Sequence, residues 1–255
     1  MKKLIKYVIM EVLRTRIVVA YTVILLLISF SIFGLEDNQA KGMLSMMNVE
    51  LILVPLVCVM FSSIYLYNSG EFTELIVGQP LPRKSIWRSM YFGVTSSLLL
   101  AFVVGAGIPM LFFGSDSSKW IMLLMGMVLV IVFSGMGLAL AIKIRDKAKG
   151  VGMAIFSWLF FSILFDALVL FASFQLSDYP IEKGLVGAIA LNPIDLARVL
   201  IIMKMDIGAM LGYTGAVFTN YFGSQYGTII SIVLMAAWCY LPYKLGMRWF
   251  VRKDF

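Results

Sequence analysis

Apolar residues run through this chain in six long stretches, at about 17–34, 49–68, 89–113, 120–142, 150–174 and 227–249, separated by short polar breaks. Each stretch holds roughly 18–25 residues, enough at 1.5 Å per residue to cross a hydrocarbon core about 30 Å thick. Six crossings bring the chain back to the side on which it started. Residues 1–16 follow another pattern. At helical spacing Leu4, Ile5, Val8, Ile9, Val12 and Leu13 cover one half, while Lys3, Lys6, Glu11 and Arg14 lie mainly on the other. That is the pattern of an amphipathic helix lying in the membrane interface. The apolar run from Ile17 to Phe33 has no convincing small-residue cleavage pattern behind it, so it reads as an uncleaved first span.

The region 175–226, between the fifth and sixth stretches, is not a plain loop. Gly184–Leu191 is apolar but too short to span. Asn192-Pro193 breaks it, with Asn suited to cap a helix and Pro to open one that runs to about Met205. Two short helices around a break predict a hairpin, either re-entrant or lying on the outer surface, whose irregular backbone must be covered by protein. The glycine- and aromatic-rich run GYTGAVFTNYFGSQYG after it predicts an ordered outer cap able to hold a partner. The expected fold is thus an all-α, polytopic membrane protein over residues 1–255. It has six transmembrane helices, an N-terminal interfacial helix and a re-entrant or surface helical hairpin before the last span. A seven- or eight-span topology is the alternative, and it would spoil the charge bias described next.

Composition strengthens this reading. Hydrophobic residues make up 61% of the chain and charged residues 14%, with a mean hydropathy of +0.95, far from a soluble domain of this length. The net charge of +7 comes from bases that flank apolar runs, so it signals membrane anchoring and not nucleic acid. Sixteen of the 21 Lys and Arg residues fall on one side of the six-span topology: Lys2, Lys3, Lys6, Arg14, Arg16, Arg83, Lys84, Arg88, Lys143, Arg145, Lys147, Lys149, Lys244, Arg248, Arg252 and Lys253. Lys41, Lys119, Lys183, Arg198 and Lys204 fall on the other. By the positive-inside rule both termini face the cytoplasm, which for a bacterial chain means the inner membrane.

Candidate chemistry is sparse. There is no histidine, and Cys58 and Cys239 lie far apart in apolar runs, so neither a metal cluster nor a disulfide framework is expected. No GxxxxGK[ST] occurs, so the chain does not cradle ATP itself, and no nucleophile–base arrangement points to an enzyme. No internal repeat marks a secondary transporter built from two halves. Met43, Met46 and Met47 cluster in the predicted outer loop Leu35–Asn48. Thioethers suit Cu(I), but three loose Met without His or Cys make a poor site, and capping of the bundle mouth is the expected role. The small residues Gly105-Ala106-Gly107 and Ser134-Gly135-Met136-Gly137 predict close helix approach. Asp166 is the one clear intramembrane acid in this reading, near one helical face with Trp158, Ser162 and Ser173. Ser162 and Asp166 either line a translocation path or form a structural hydrogen bond near the outer surface.

The stretch Asn68–Arg88, NSGEFTELIVGQPLPRKSIWR, links two spans on the basic side. Glu71 and Glu74 share a face of a short helix, which Pro80 and Pro82 end near Gly78. So short a helix is not stable alone and must be held by its surroundings. The basic loop Lys143–Lys149 offers a second contact of the same kind, or only a topology anchor.

This stretch resembles the coupling segment of membrane permease subunits of ABC exporters of the second type, with Glu71, Thr73, Glu74, Leu75, Gln79, Pro80 and Arg83 on the matching positions and Phe72 completing the implied coupling set of eight. Phe72-Thr73 stands where a Gly-Thr pair is common in the wider family. The late segment LNPIDLARVLIIMKMD with GYTGAVF and FGSQYG is similar to NosY-like permeases, which serve maturation of nitrous oxide reductase. Asn192, Pro193, Asp195, Arg198 and Gly212–Phe218, including Tyr213, carry that likeness. The resemblance implies a homodimer in the lipid bilayer, two cytoplasmic NosF-like ATPase subunits that bind ATP and Mg, and a periplasmic NosD-like protein docking on 175–226. No cofactor is implied in this chain itself. It further implies export of a sulfur species, or help with copper delivery, for the enzyme's copper–sulfide centre. Two rival readings stay open: an exporter of a lipid, peptide or drug, and a non-transporting scaffold that relays ATPase strokes to an outer partner.

Overall fold

The computed structural model describes residues 2–36, 38–113, 118–175, 182–205 and 225–253, and all regular structure among them is helical. In chain order the helices are α1 (Lys2–Leu13), α2 (Arg16–Leu35), α3 (Gln39–Asn68), α4 (Gly70–Val77), α5 (Arg83–Phe113) and α6 (Ser118–Lys143). They continue with α7 (Lys147–Gln175), α8 (Glu182–Leu191), α9 (Pro193–Lys204) and α10 (Gln225–Arg252). Six of them, α2, α3, α5, α6, α7 and α10, are long and apolar enough to cross a membrane. The chain is therefore a multi-pass membrane protein.

The centre of the bundle is α6. It packs along α3, α10, α5 and α9, and most of its apolar stretch is buried. It approaches the α3 backbone tightly at Gly137, where an added Cβ would overlap the Val59 carbonyl oxygen and sit 3.1 Å from the Ser62 side chain. Ser63 Oγ lies within 2.9 Å of both the Val59 and the Gly137 carbonyl oxygens, clipping the two helices together. Small residues thus allow the contact, and a hydroxyl strengthens it where no water competes. Tyr67 makes a similar clip lower on α3, donating to the Ile144 carbonyl at 2.8 Å, with Gly150 leaving room for the phenol.

Three features differ from expectation. First, α3 starts at Gln39 and not near 49, because Asn38 caps it, accepting from Ala40 N at 3.0 Å and Lys41 N at 3.4 Å. The outer loop Leu35–Asn48 therefore shrinks to residues 36–38. Met43, Met46 and Met47 lie on the buried face of that extra length, so they pack the helix mouth and form no loop site.

Second, α1 is covered by protein along its apolar side. Val8 and Val12 are fully buried, α1 packs along α5, and Ser97 donates to the Ile9 carbonyl at 3.4 Å. Third, α5 and α7 each contain a π-helical turn, Val103–Gly107 and Phe160–Leu164. Such a turn shifts the helical register by one residue and frees backbone groups, which is why it so often marks a site.

The helix α7 stands apart, since almost none of it is buried. Phe156, Ile163, Leu164, Leu168, Leu170, Phe171 and Phe174 all face outward. A helix this apolar on its exposed side needs lipid or another protein against it. The predicted break between α8 and α9 falls at Asn192, as expected. However, eight of the twelve residues of α9 are buried, against α6, α10, α3 and α7. The second arm of the hairpin is thus part of the bundle wall.

Candidate functional site

Two sets of residues stand out, one at the basic end of the bundle and one on the α7–α9 face. At the basic end, α4 is held by its inward side chains. Thr73 is buried, donates to the Ser69 carbonyl at 2.7 Å and lies against Met90 Sδ. Ile76 is buried beside it, and Phe72 stacks on Tyr7 of α1 with ring centroids 5.3 Å apart. These contacts anchor eight residues that would not stay helical alone.

What α4 turns outward is an acidic and apolar ridge: Glu71, Glu74 and Leu75, then Gly78, Gln79, Pro80 and Leu81. Leu75 is 73% exposed, unusual for leucine on so well-anchored a helix. Glu71 sits in the first turn, where the helix dipole favours a negative charge.

Of the eight residues read as the coupling set, the structure leaves Glu71, Glu74, Leu75, Gln79 and Pro80 free on one surface. Phe72 and Thr73 serve as anchors. Arg83 plays a different part. Its guanidinium donates to the Val251 and Lys253 carbonyls, both at 3.0 Å, and so caps the last turn of α10. The same end is tied together by Lys147 donating to Asn68 at 2.8 Å and by Lys143 over the Trp249 ring at 5.0 Å. Burial, and then the nearby Arg145 charge, lower the pKa of Lys253, while Glu74 opposes the shift. The ridge of α4 thus sits beside α1, and the same end of the bundle is tied to the α6–α7 turn and the end of α10.

The second set joins α7 to α9. Arg198 donates to Asp166 at 3.0 Å and to Asp195 at 2.8 Å, a guanidinium shared by two carboxylates. Asn192 completes the cluster. Its amide donates to Asp195 at 2.7 Å and to the Phe161 carbonyl inside the π turn at 2.8 Å. Its oxygen accepts from Ile194 N at 3.0 Å, capping α9. One residue therefore starts a helix, orients an acid and binds a carbonyl in the irregular turn of α7. Asp195 is buried, and burial followed by the Asp166 charge pushes its pKa up to about 7, against the pull of Arg198 and Asn192.

Asp166 and Arg198 are each about one-third exposed, at 33% and 32%, on an otherwise apolar outward face. Of the proposed path residues, Asp166 therefore binds α9, and Ser162 Oγ is buried in the π turn with no hydrogen-bond partner among the described residues. The predicted polar face is only partly shared: Trp158 donates to the Ile52 carbonyl of α3 at 3.0 Å, and Ser173 only to its own helix. Asn192, Pro193, Asp195 and Arg198 come together as one unit. Tyr213 and Gly212–Phe218 lie outside the described residues.

The structure adds one acid that the sequence pattern hid. Glu50 falls at the start of the second apolar stretch, and with α3 starting at Gln39 it lies deep in the bundle, 1% exposed. Asp166 is thus not the only intramembrane acid, and the signal that could have found Glu50 was the Asn38 cap ahead of the helix interior. No protein-family model matches this chain, and no curated protein matches it either.

Proposed function

We propose that this chain is the membrane permease subunit of an ATP-driven exporter, working as a homodimer with two separate ATPase subunits. The observation that carries the reading is the α4 ridge: Glu71, Glu74 and Leu75 exposed on a short helix whose other face is locked into the bundle. A partner that pushes on such a ridge moves the end of the bundle behind it, and with it α1, α3 and α10. The Asp166–Arg198–Asp195 cluster supports the same reading. Charges a third exposed on an apolar membrane face need a protein partner or a water-filled path, and a second copy laid against α7 supplies either. In this account both termini and α4 face the cytoplasm of a bacterial inner membrane. The face around α8 and α9 meets the periplasm and a NosD-like partner.

The cargo we assign is a sulfur species for the copper–sulfide centre of nitrous oxide reductase. The likeness of Asn192-Pro193-Ile194-Asp195 and Arg198 to NosY-like permeases supports it. The chain has no histidine and its two cysteines, Cys58 and Cys239, stand far apart, which favours sulfur over copper as cargo.

The test is the reductase itself, purified from host cells lacking this chain and complemented with the wild type or with Glu71→Arg/Glu74→Arg. The account expects the copper–sulfide centre with the wild type alone, and the electron-transfer copper centre in every case. An intact copper–sulfide centre without this chain overturns the assigned cargo.

A further inference from the structure

The middle of α3 holds polar capacity that neither coupling nor the α7–α9 cluster uses. Glu50 is 1% exposed, and among the described residues neither carboxyl oxygen has a hydrogen-bond partner. Tyr21 of α2 is 3% exposed, and its hydroxyl has none among them either. The two face the same seam. Antiparallel α2 and α3 meet at Ser29 and Met46, where Ser29 Oγ lies 3.4 Å from Met46 Sδ. Two turns further along, Tyr21 comes level with the stretch between Glu50 and Cys58.

The hydrogen-bond ladder of α3 lacks one donor in the same stretch, although the helix runs on from Gln39 to Asn68. Pro55 lies inside the helix and has no N–H, so the Leu51 carbonyl one turn earlier loses its ordinary helical donor. The next carbonyl, Ile52, takes an extra hydrogen bond from Trp158 of α7. A carboxyl group and a carbonyl without its helical donor thus lie in one stretch of α3, about 16 Å from its start, with Tyr21 of α2 level with it.

A bare carboxylate is among the most costly groups to keep in such a place. Among the described residues, the ion pairs join Arg198 to Asp166 and Asp195, and none reaches Glu50. We propose that Glu50 and Tyr21 form an exchange site for one monovalent cation, a proton or a sodium ion, one turn ahead of Pro55 in α3. The cation neutralises the carboxyl and lets α2 lie against α3. An uncompensated Glu50 opens that seam to water. The site stands on these residues alone and does not depend on the exporter assignment.

Infrared difference spectra of the full chain in lipid bilayers, wild type minus Glu50→Gln, test the proposal in sodium-free and sodium-containing buffer near neutral pH. A proton site gives a protonated-carboxyl band that Glu50→Gln loses and sodium leaves unchanged. A sodium site gives carboxylate bands that shift on adding sodium in the wild type and not in Glu50→Gln. Glu50 carboxylate bands with no sodium response overturn the proposal. Tyr21→Phe keeps the carboxyl and guards against a misfolded Glu50→Gln. It is expected to shift the Glu50 band in either case, and an unshifted band overturns the pairing.

Discussion

Removing Arg198 tests how α7 is joined to the rest of the bundle. Arg198→Met deletes two charge-assisted hydrogen bonds, 3.0 Å to Asp166 and 2.8 Å to Asp195, and leaves two acids facing each other. Hydrogen bonds to charged groups contribute about 1.5–3 kcal/mol each, and breaking a fully buried pair costs about 3–5 kcal/mol. Arg198 and Asp166 are one-third exposed, while Asp195 is buried, so water screens one bond more than the other. The loss is then about 3 kcal/mol, towards the lower end of that range. Met keeps much of the apolar stem, so little of the loss is packing. Adding Asp166→Asn removes one of the two acids left without Arg198, and with it their repulsion, and the double-mutant cycle is expected to give a coupling of about 1–2 kcal/mol. Reversible unfolding of the full chain in mixed dodecyl sulfate micelles, followed by tryptophan fluorescence, measures all four corners. A loss below about 0.5 kcal/mol with no coupling refutes the reasoning, because that is how a solvated surface pair behaves.

Asn192→Ala loses the α9 cap, the Asp195 partner and the donor to the Phe161 carbonyl together, and is expected to cost about 2–4 kcal/mol in the same assay. Asp195 makes stability depend on pH. Its folded pKa is raised above the unfolded value, so its contribution is complete below about pH 4 and falls as pH rises towards about 7. Thermal unfolding across that window should show the slope in the wild type and its loss in Asp195→Asn. Gly137→Ala drives a methyl group into the Val59 carbonyl and is expected to destabilise by about 1–3 kcal/mol, whereas Gly152→Ala meets nothing within 4 Å and should be neutral or stabilising.

The six spans were legible because a hydrocarbon core demands an unbroken apolar length, and the pattern records that demand directly. The break at Asn192-Pro193 was legible for a local reason: a cap and a first-turn proline act through their own backbone. Three things were not legible, all set by tertiary contacts. The start of α3 depends on Asn38 winning as a cap over a stretch with scattered polar residues. The partner of Asp166 is Arg198, thirty-two residues away across the hairpin, and no spacing rule links them. Arg83 read as part of a docking motif because it follows the prolines, yet it reaches the end of α10, a contact between distant parts of the chain. The π turns left no mark at all, since nothing in VVGAG or FFSIL differs from ordinary helix. The exposed ridge of α4 was half legible: the sequence placed Glu71 and Glu74 on one face, and the structure sorted Leu75 outward from Phe72 and Thr73 inward.

The measurement closest to the central claim is ATP hydrolysis in the complex purified through this chain. The tagged full chain is extracted from host membranes as the wild type and as Glu71→Arg/Glu74→Arg, with matched yield and unfolding temperature. The account predicts that the wild type brings down an ATPase subunit carrying a GxxxxGK[ST] loop, with hydrolysis to match. The double variant, equally well folded, should lose both, because its exposed ridge is reversed in charge while its anchors Thr73 and Ile76 are untouched. An ATPase retained at wild-type yield and rate by the double variant, or no ATPase with the wild type, contradicts it.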